Sequence, residues 1–171
     1  MLVRQHESAD YEAVRRIYAE SFRRPESRES VPREVGIFEA LLEAGDLLVE
    51  LSFTALADGG AVGHVTASRA TVAAEAVVAV GPIGVLPEHQ GVGIGSALMS
   101  ALLAAAEAAD VPLVVLLGSP QYYSRFGFRP AREMGVLSPE PGWGDAFQAR
   151  PLKAYTPSIA GQFQFAPAFS S

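Results

Sequence analysis

The sequence predicts a mixed α/β fold in which a central strand–helix–strand unit is flanked by antiparallel strands and further helices. Three observations point to it. Residues 76–86, AVVAVGPIGVL, are almost wholly apolar, as a strand buried on both faces requires. A glycine-rich turn and an Ala- and Leu-rich helical stretch over 91–108 come next, followed by a second apolar run, VPLVVLLG. Ahead of them, LLVELSFTALADGGAVGHVTASRATV reads as a hairpin turning at Asp58-Gly59-Gly60.

The remaining elements follow in order. MLVRQ is a short strand candidate. Residues 9–22 place Val14, Ile17, Tyr18 and Phe22 at helical spacing, with Asp10 in the N-cap region. RRPESRES is polar and broken by proline, a loop. VPREVGIFEALLEAG gives a second amphipathic helix, with Val35, Phe38, Leu41 and Leu42 on its apolar face and Gly45 as its stop. The helix over 91–108 buries Leu98, Leu102 and Ala105, and SPQYYSRFGF is a short helical segment. The Pro-, Gly- and aromatic-rich tail from Ala131 offers strands at MGVL and DAFQARPL. No repeat or linker composition interrupts the chain, and 171 residues suit one domain with a genuine core, so one domain over 1–171 is expected.

Composition narrows the class. Hydrophobic residues make up 49% and charged residues 19%, a globular balance. The absence of cysteine removes disulfides, thiolate metal sites and a cysteine nucleophile, and no metal site is expected. Arg4, Glu7, Asp10, Glu12 and Arg15 do not fit a signal-peptide core, and the apolar stretch over 91–106 is shorter than the ~18–20 residues of a membrane span. A soluble cytoplasmic protein without a membrane partner is expected. The net charge of −6 argues against nucleic-acid binding, which needs a basic face. Residues 1–60 hold seven arginines against twelve acidic residues. That excess suits either a cationic substrate or simply a solvated acidic surface.

The chemistry centres on PEHQGVGIGSAL, residues 87–98. A strand, a glycine turn and a helix start together aim unpaired N–H groups and the positive helix end at one spot, which suits a phosphate. The same turn alone also fits a tight connection that binds nothing. A P-loop needs Lys-Ser or Lys-Thr after its second glycine, but Gly95 precedes Ser96-Ala97 and the only lysine is Lys153. A dinucleotide fingerprint needs G-x-G-x-x-G and a later acidic residue, but Ser96 stands at the third glycine and LVVLL follows. What fits is Q-x-x-G-x-G, with Gln90, Gly93 and Gly95 in place and Gly91 as an extra glycine.

That motif resembles the pyrophosphate-binding turn of the GNAT superfamily of acyl-CoA-dependent N-acyltransferases. Its context strengthens the likeness: an apolar strand ending V-L-P-E precedes it, and YYSRFGF follows the next strand, similar to the family's aromatic segment ending in Gly-Phe. The GP-I-G-V strand, G-S-P-x-Y-Y-x-R-F-G-F and the late W-G-x-A-F-Q stretch resemble one branch of bacterial predicted N-acetyltransferases.

The resemblance implies a GNAT-like fold with a splayed central strand, acetyl-CoA as cosubstrate, and transfer of the acetyl group directly to a primary amine of a small molecule or peptide. It implies that Ile83 and Val85 offer main-chain groups to the pantetheine arm. Gln90, Gly91, Val92, Gly93, Ile94, Gly95 and Ser96 would wrap the pyrophosphate, and Tyr123 would be the general acid for the leaving thiolate. Gly81-Pro82 fits either a break in the strand or a simple bulge. Tyr123 also fits a packing role. Arg125 and Arg129 read as phosphate contacts or as surface residues. The strand glutamate that serves many family members as base falls in register on Ala79, leaving Glu50, His64 and Glu75 as nearby polar candidates. Residues 1–60 would form the acceptor side and 76–130 the acetyl-CoA-binding core. The alternative is a catalytically silent acyl-CoA-binding domain. Homodimers are common in the family, so a second copy is an allowed partner, although the sequence marks no interface.

Overall fold

The computed structural model describes residues 1–27 and 30–170, so Arg28 and Glu29 of the expected RRPESRES loop lie outside the described residues. The strands are β1 (Leu2–Gln5), β2 (Phe53–Ala57), β3 (Gly60–Val72), β4 (Glu75–Val85), β5 (Leu113–Leu117), β6 (Arg129–Pro130), β7 (Val136–Leu137), β8 (Phe147–Pro151) and β9 (Gly161–Phe165). The α-helices are α1 (Tyr11–Ser21), α2 (Arg33–Ala44), α3 (Ile94–Ala108) and the single turn α4 (Pro120–Tyr123). The strands form one mixed sheet in the order β1-β2-β3-β4-β5-β8-β6, with β9 pairing β3 and β7.

The apolar runs behave as expected of strands covered on both faces. Val78 and Val80 of β4 and Val114 and Leu116 of β5 join the hydrophobic cluster that takes in α1, α2 and α3. Their alternate neighbours Val77, Ala79, Leu113 and Val115 join a second cluster with Phe147 and Phe163. Period-two alternation between two cores is the reason these runs carry no polar residue.

β4 and β5 are parallel but register only at Val78↔Val114 and Ala79↔Val115. Beyond that point they separate, and the cause lies in β4. On the β3 side the register jumps from Val65↔Ile83 to Ala67↔Val80, so one residue opposes Gly81 and Pro82 together. Gly81 supplies a φ of 133° that a side chain disfavours, its bond to Pro82 is cis, and Pro82 brings no N–H to a ladder. The break and the bulge are therefore one feature.

Three local expectations change. LLVEL folds as a short 3-10 turn over Val49–Leu51 instead of extending β2. α2 buries Val35, Ile37, Phe38 and Leu41 but leaves Leu42 37% exposed, so its apolar face is rotated toward Ile37. α3 buries Leu98, Met99, Leu102, Leu103 and Ala106, a wider face than the one anticipated, with Ala105 only half-buried. GQFQF also becomes a strand, β9, against the far end of β3. Among the described residues, no helix is long and apolar enough to cross a membrane.

Candidate active site

The glycine turn ends β4 and starts α3. Gly91 and Gly93 hold φ of 76° and 90°, and Gly93 caps the helix in the left-handed region. The first helical bond runs from Ala97 N–H to Gly93 O. Among the described residues, no protein acceptor takes the N–H groups of residues 91–96. All of these residues but Val92 line a hollow of about 340 Å³ bounded by Gln90, Ser96, Tyr122 and Arg125. The Ile94 side chain instead points into the core, and Val92 is 72% exposed at the tip. Gln90 does more than border the hollow: its Nε2 donates to Val85 O at 2.9 Å. Ser21 Oγ donates to that same carbonyl at 2.9 Å. Val85 O thus ties together α1, β4 and the turn.

Two further hollows continue the first. One of about 240 Å³ shares Val85, Gln90, Gly95 and Tyr122 with it and adds Ser21, Ile83 and Tyr123. The next, about 480 Å³, shares Phe22, Ile83 and Tyr123 with the second and opens where β4 and β5 have parted, between Val80–Ile83 and Leu116–Leu117. One track therefore runs from the N–H cluster, along Ile83, to a cavity of ordinary small-molecule size, with Tyr123 at the junction.

Tyr123 is held from several sides. Ser119 caps α4 by accepting Tyr122 N–H, which orients the turn carrying both tyrosines. The Tyr123 ring meets Tyr122 at 4.9 Å and Phe128 at 6.0 Å between centroids, both edge-on. Behind it, a Cβ on Gly118 would lie only 2.4 Å from Tyr123 Cε2, so the ring packs directly on glycine backbone. Burial, with the neighbouring Tyr122, pushes the Tyr123 phenol up to about 12. It keeps its proton throughout the neutral range. Arg125 lies with its guanidinium 4.4 Å over the Tyr122 ring and its Nε on Tyr122 O, at the edge of the turn hollow. Arg129 faces Glu133 at 4.0 Å and does not border that hollow.

None of the polar candidates for a base borders the track. Ala79 is fully buried and paired with Val115, before the strands separate. Glu50 is exposed on the 3-10 turn, and Glu75 is exposed at the opposite end of β4 from Val85. His64 is fully buried, and its pKa is lowered to about 3 by burial and, secondarily, by His6. The carboxylates on the 480 Å³ cavity are instead Glu34, in the first turn of α2, and Glu140. No hydrophobic periodicity marks either one.

His64 belongs to a buried polar chain behind the bulge. Tyr18 Oη lies 2.9 Å from Pro82 O, 2.7 Å from His64 Nδ1 and 2.7 Å from Thr66 Oγ1, and His64 Nε2 lies 3.2 Å from His6 Nδ1. Pro82 O can only accept, so Tyr18 donates there. That assigns the Nδ1–H tautomer to His64 and makes His6 Nδ1–H the donor to His64 Nε2. His6 Nδ1 also sits 3.9 Å from Asp10. Burial pushes the Asp10 carboxyl up, but two 2.8 Å bonds from Arg4, with Glu7 N–H and the Thr54 hydroxyl, hold it down at about 2. Asp10 stands at the N-cap of α1 as expected, but its carboxylate makes no cap bond there and is spent on this network. The buried Pro82 carbonyl at the bulge is thus linked to the Arg4–Asp10 ion pair through Tyr18, His64 and His6.

Comparison with known proteins decides what this arrangement is. Residues 2–131 match the family profile described as an acetyltransferase (GNAT) domain. The chain belongs to the GNAT acetyltransferase family. A GNAT family N-acetyltransferase of Escherichia coli, YhbS, solved in complex with CoA, aligns with a TM-score of 0.86 and 26% identity over 99% of this chain and 92% of that one. A GNAT family acetyltransferase of Brucella melitensis, solved with acetyl-CoA, aligns at 0.78 and 29% identity, covering 98% and 97%. The N-acetyltransferase YjhQ of Escherichia coli (strain K12) is 33% identical over 114 residues, 64% of this chain, and the match spans 63% of that relative's length. The separated β4 and β5, the N–H cluster at the α3 start and the mixed sheet are therefore those of a GNAT fold. Among the described residues, no group of three or more His, Asp and Glu could hold a metal ion.

Proposed function

We propose that this GNAT protein transfers the acetyl group of acetyl-CoA directly to the primary amine of a small molecule or peptide. The observation that carries the reading is the continuous track from six unpaired N–H groups to Tyr123 and the cavity beyond it. The N–H groups of residues 91–96 take the pyrophosphate, and Arg125 adds a cation at its edge. Gln90 holds that turn on β4 through Val85 O, so the pantetheine contact rests on the main chain of Ile83. Residues 76–130 then form the donor core of a domain spanning 1–171, and Phe22, Arg33, Glu34 and Ile37 in the cavity wall support an acceptor side in residues 1–60. The rest of that wall comes from the tail, through Pro139, Glu140, Trp143, Phe165 and Phe169.

The steps balance without a covalent intermediate. The acceptor ammonium loses its proton through water to a cavity carboxylate, and the freed amine attacks the thioester carbon. The tetrahedral intermediate collapses with C–S cleavage, and Tyr123 gives its phenolic proton to the departing thiolate. With its pKa at about 12, Tyr123 holds that proton until charge develops on sulfur. The amide and the CoA thiol leave, and the second proton of the amine nitrogen restores the phenol through solvent. Release of CoA thiol from acetyl-CoA on addition of an amine panel tests the reading. Release above the amine-free rate supports it; acetyl-CoA binding with no release from any amine would leave a silent acyl-CoA-binding domain.

A further inference from the structure

We propose that the acceptor is a primary amine on an arylalkyl frame, as opposed to a polyamine, an amino sugar or an amino acid. The proposal rests on the acetyl-transfer reading above and concerns only the 480 Å³ cavity. Its walls are aromatic. Phe165 and Phe169 lie face to face, with centroids 4.2 Å apart and planes 4° from parallel. Trp143 meets Phe165 edge-on at 6.2 Å, and Phe22 lines the same cavity. A flat apolar group gains dispersion and edge-to-face contacts against such walls.

The polar inventory excludes the other amines. Among the described lining residues there is no Ser, Thr, Asn, Gln or His; the side-chain polar groups are Arg33, Glu34, Glu140, the Tyr123 hydroxyl and the Trp143 N–H. An amino sugar buried here would leave its hydroxyls unmatched, which is costly for each group. A polyamine would bring several ammonium groups to a cavity with two carboxylates and one cation of its own, Arg33. An amino acid would set its own carboxylate against Glu34 and Glu140, with only Arg33, exposed at the first residue of α2, to offset them. A single ammonium suits the pair. Glu34 is half-buried at the second residue of α2, and no side-chain hydrogen bond or ion pair engages it among the described residues. The Glu140 side chain is likewise unengaged among the described residues but exposed, so Glu34 is the more enclosed carboxylate to receive the acceptor.

Trp143 is the only tryptophan of the chain, so its fluorescence reports on this cavity alone. The test titrates the whole protein, with and without CoA, with phenethylamine, spermidine, kanamycin and 3-phenylpropionate, and measures thiol release for the three amines in parallel. Phenethylamine should change the emission saturably, with a Kd at least about tenfold below the other three. Glu34→Gln should weaken phenethylamine about tenfold while CoA binds as before. Spermidine or kanamycin binding as tightly, 3-phenylpropionate matching the amine, or no response to phenethylamine overturns the proposal. The two readings fail separately. Thiol release with spermidine or kanamycin but no fluorescence response to phenethylamine overturns the arylalkyl preference and leaves acetyl transfer standing. Selective phenethylamine binding with no thiol release from any amine overturns acetyl transfer and leaves the cavity's preference standing.

Discussion

Gly118→Ala should disable the site without replacing a reacting group. The added Cβ would lie 2.4 Å from Tyr123 Cε2 and 3.0 Å from Cδ2, whereas carbons settle at about 3.5 Å or more. A separation of about 1 Å must be made up by ring or backbone. The backbone is pinned: Gly118 N–H donates to Ala146 O at 2.9 Å, and Gln148 Nε2 donates to Gly118 O at 3.0 Å. With Tyr122 and Phe128 edge-on beside it, the ring's open direction is toward the track. A 1 Å misplacement of a reacting group costs on the order of 10²-fold in rate, about 2.7 kcal/mol of barrier. Overpacking should also lower stability by about 1–3 kcal/mol, so rates are to be compared well below each variant's Tm. The assay is kcat from thiol release with acetyl-CoA and phenethylamine, alongside calorimetric CoA affinity, for Gly118→Ala, Tyr123→Phe and the double variant. The expected outcome is a large kcat loss in each single variant, CoA affinity within about threefold, and a double variant little worse than Tyr123→Phe. Additive losses in the double variant, or wild-type kcat in Gly118→Ala, would refute the placement of the Tyr123 ring as the element that matters.

Four further outcomes follow from the same geometry. Gly93→Ala places a side chain at φ 90° with nothing within 4 Å of its Cβ, so it should cost roughly 1–2 kcal/mol of backbone strain and weaken CoA binding. Gly36→Ala, equally uncrowded but inside α2, should stabilise by about 0.5–1 kcal/mol and leave CoA affinity unchanged in calorimetry. Tyr18→Phe strips the donor from Pro82 O and the acceptor from His64, so urea unfolding should show a loss of about 1–3 kcal/mol and the acetyl-CoA KM should rise as the bulge loosens. Finally, His64 has a folded pKa of about 3 against an ordinary 6.5, so the unfolded chain takes its proton first. Stability is then complete above pH 6.5 and falls by at most about 1.4 kcal/mol per pH unit from this group down to pH 3. Asp10, at about 2 against 3.8, extends the fall below pH 3.8, and urea unfolding of His64→Gln from pH 8 to pH 4 should show a flatter acid limb.

What the sequence revealed was what depends on local pattern. The double-faced burial of β4 and β5 is written in unbroken apolar runs, and the turn in its glycines. The Gly81-Pro82 break was legible as a change of backbone chemistry, but not that it would bulge against β3 while separating from β5. Tyr123 stood out through the resemblance of YYSRFGF to the family's aromatic segment; its support by Gly118 did not, because that contact depends on how α4 folds back on β5. The acceptor wall was the least legible part. Phe165, Phe169 and Trp143 come from the tail, where no periodicity distinguishes a cavity wall from core, and β9 brings Phe165 there by pairing with β3. The Asp10–His6–His64–Tyr18 chain was hidden for the same reason: its neighbouring members lie 4 to 58 residues apart and meet only once β1, α1 and β3 pack.

The central claim is that one track holds acetyl-CoA with its thioester at Tyr123, and a crystal structure of the protein grown with CoA tests it most directly. The expected density places the pyrophosphate on the N–H groups of residues 91–96, the pantetheine arm along Ile83 between the parted β4 and β5, and the sulfur beside the Tyr123 hydroxyl. CoA bound elsewhere, or with its sulfur directed away from Tyr123 and the aromatic cavity, would contradict it.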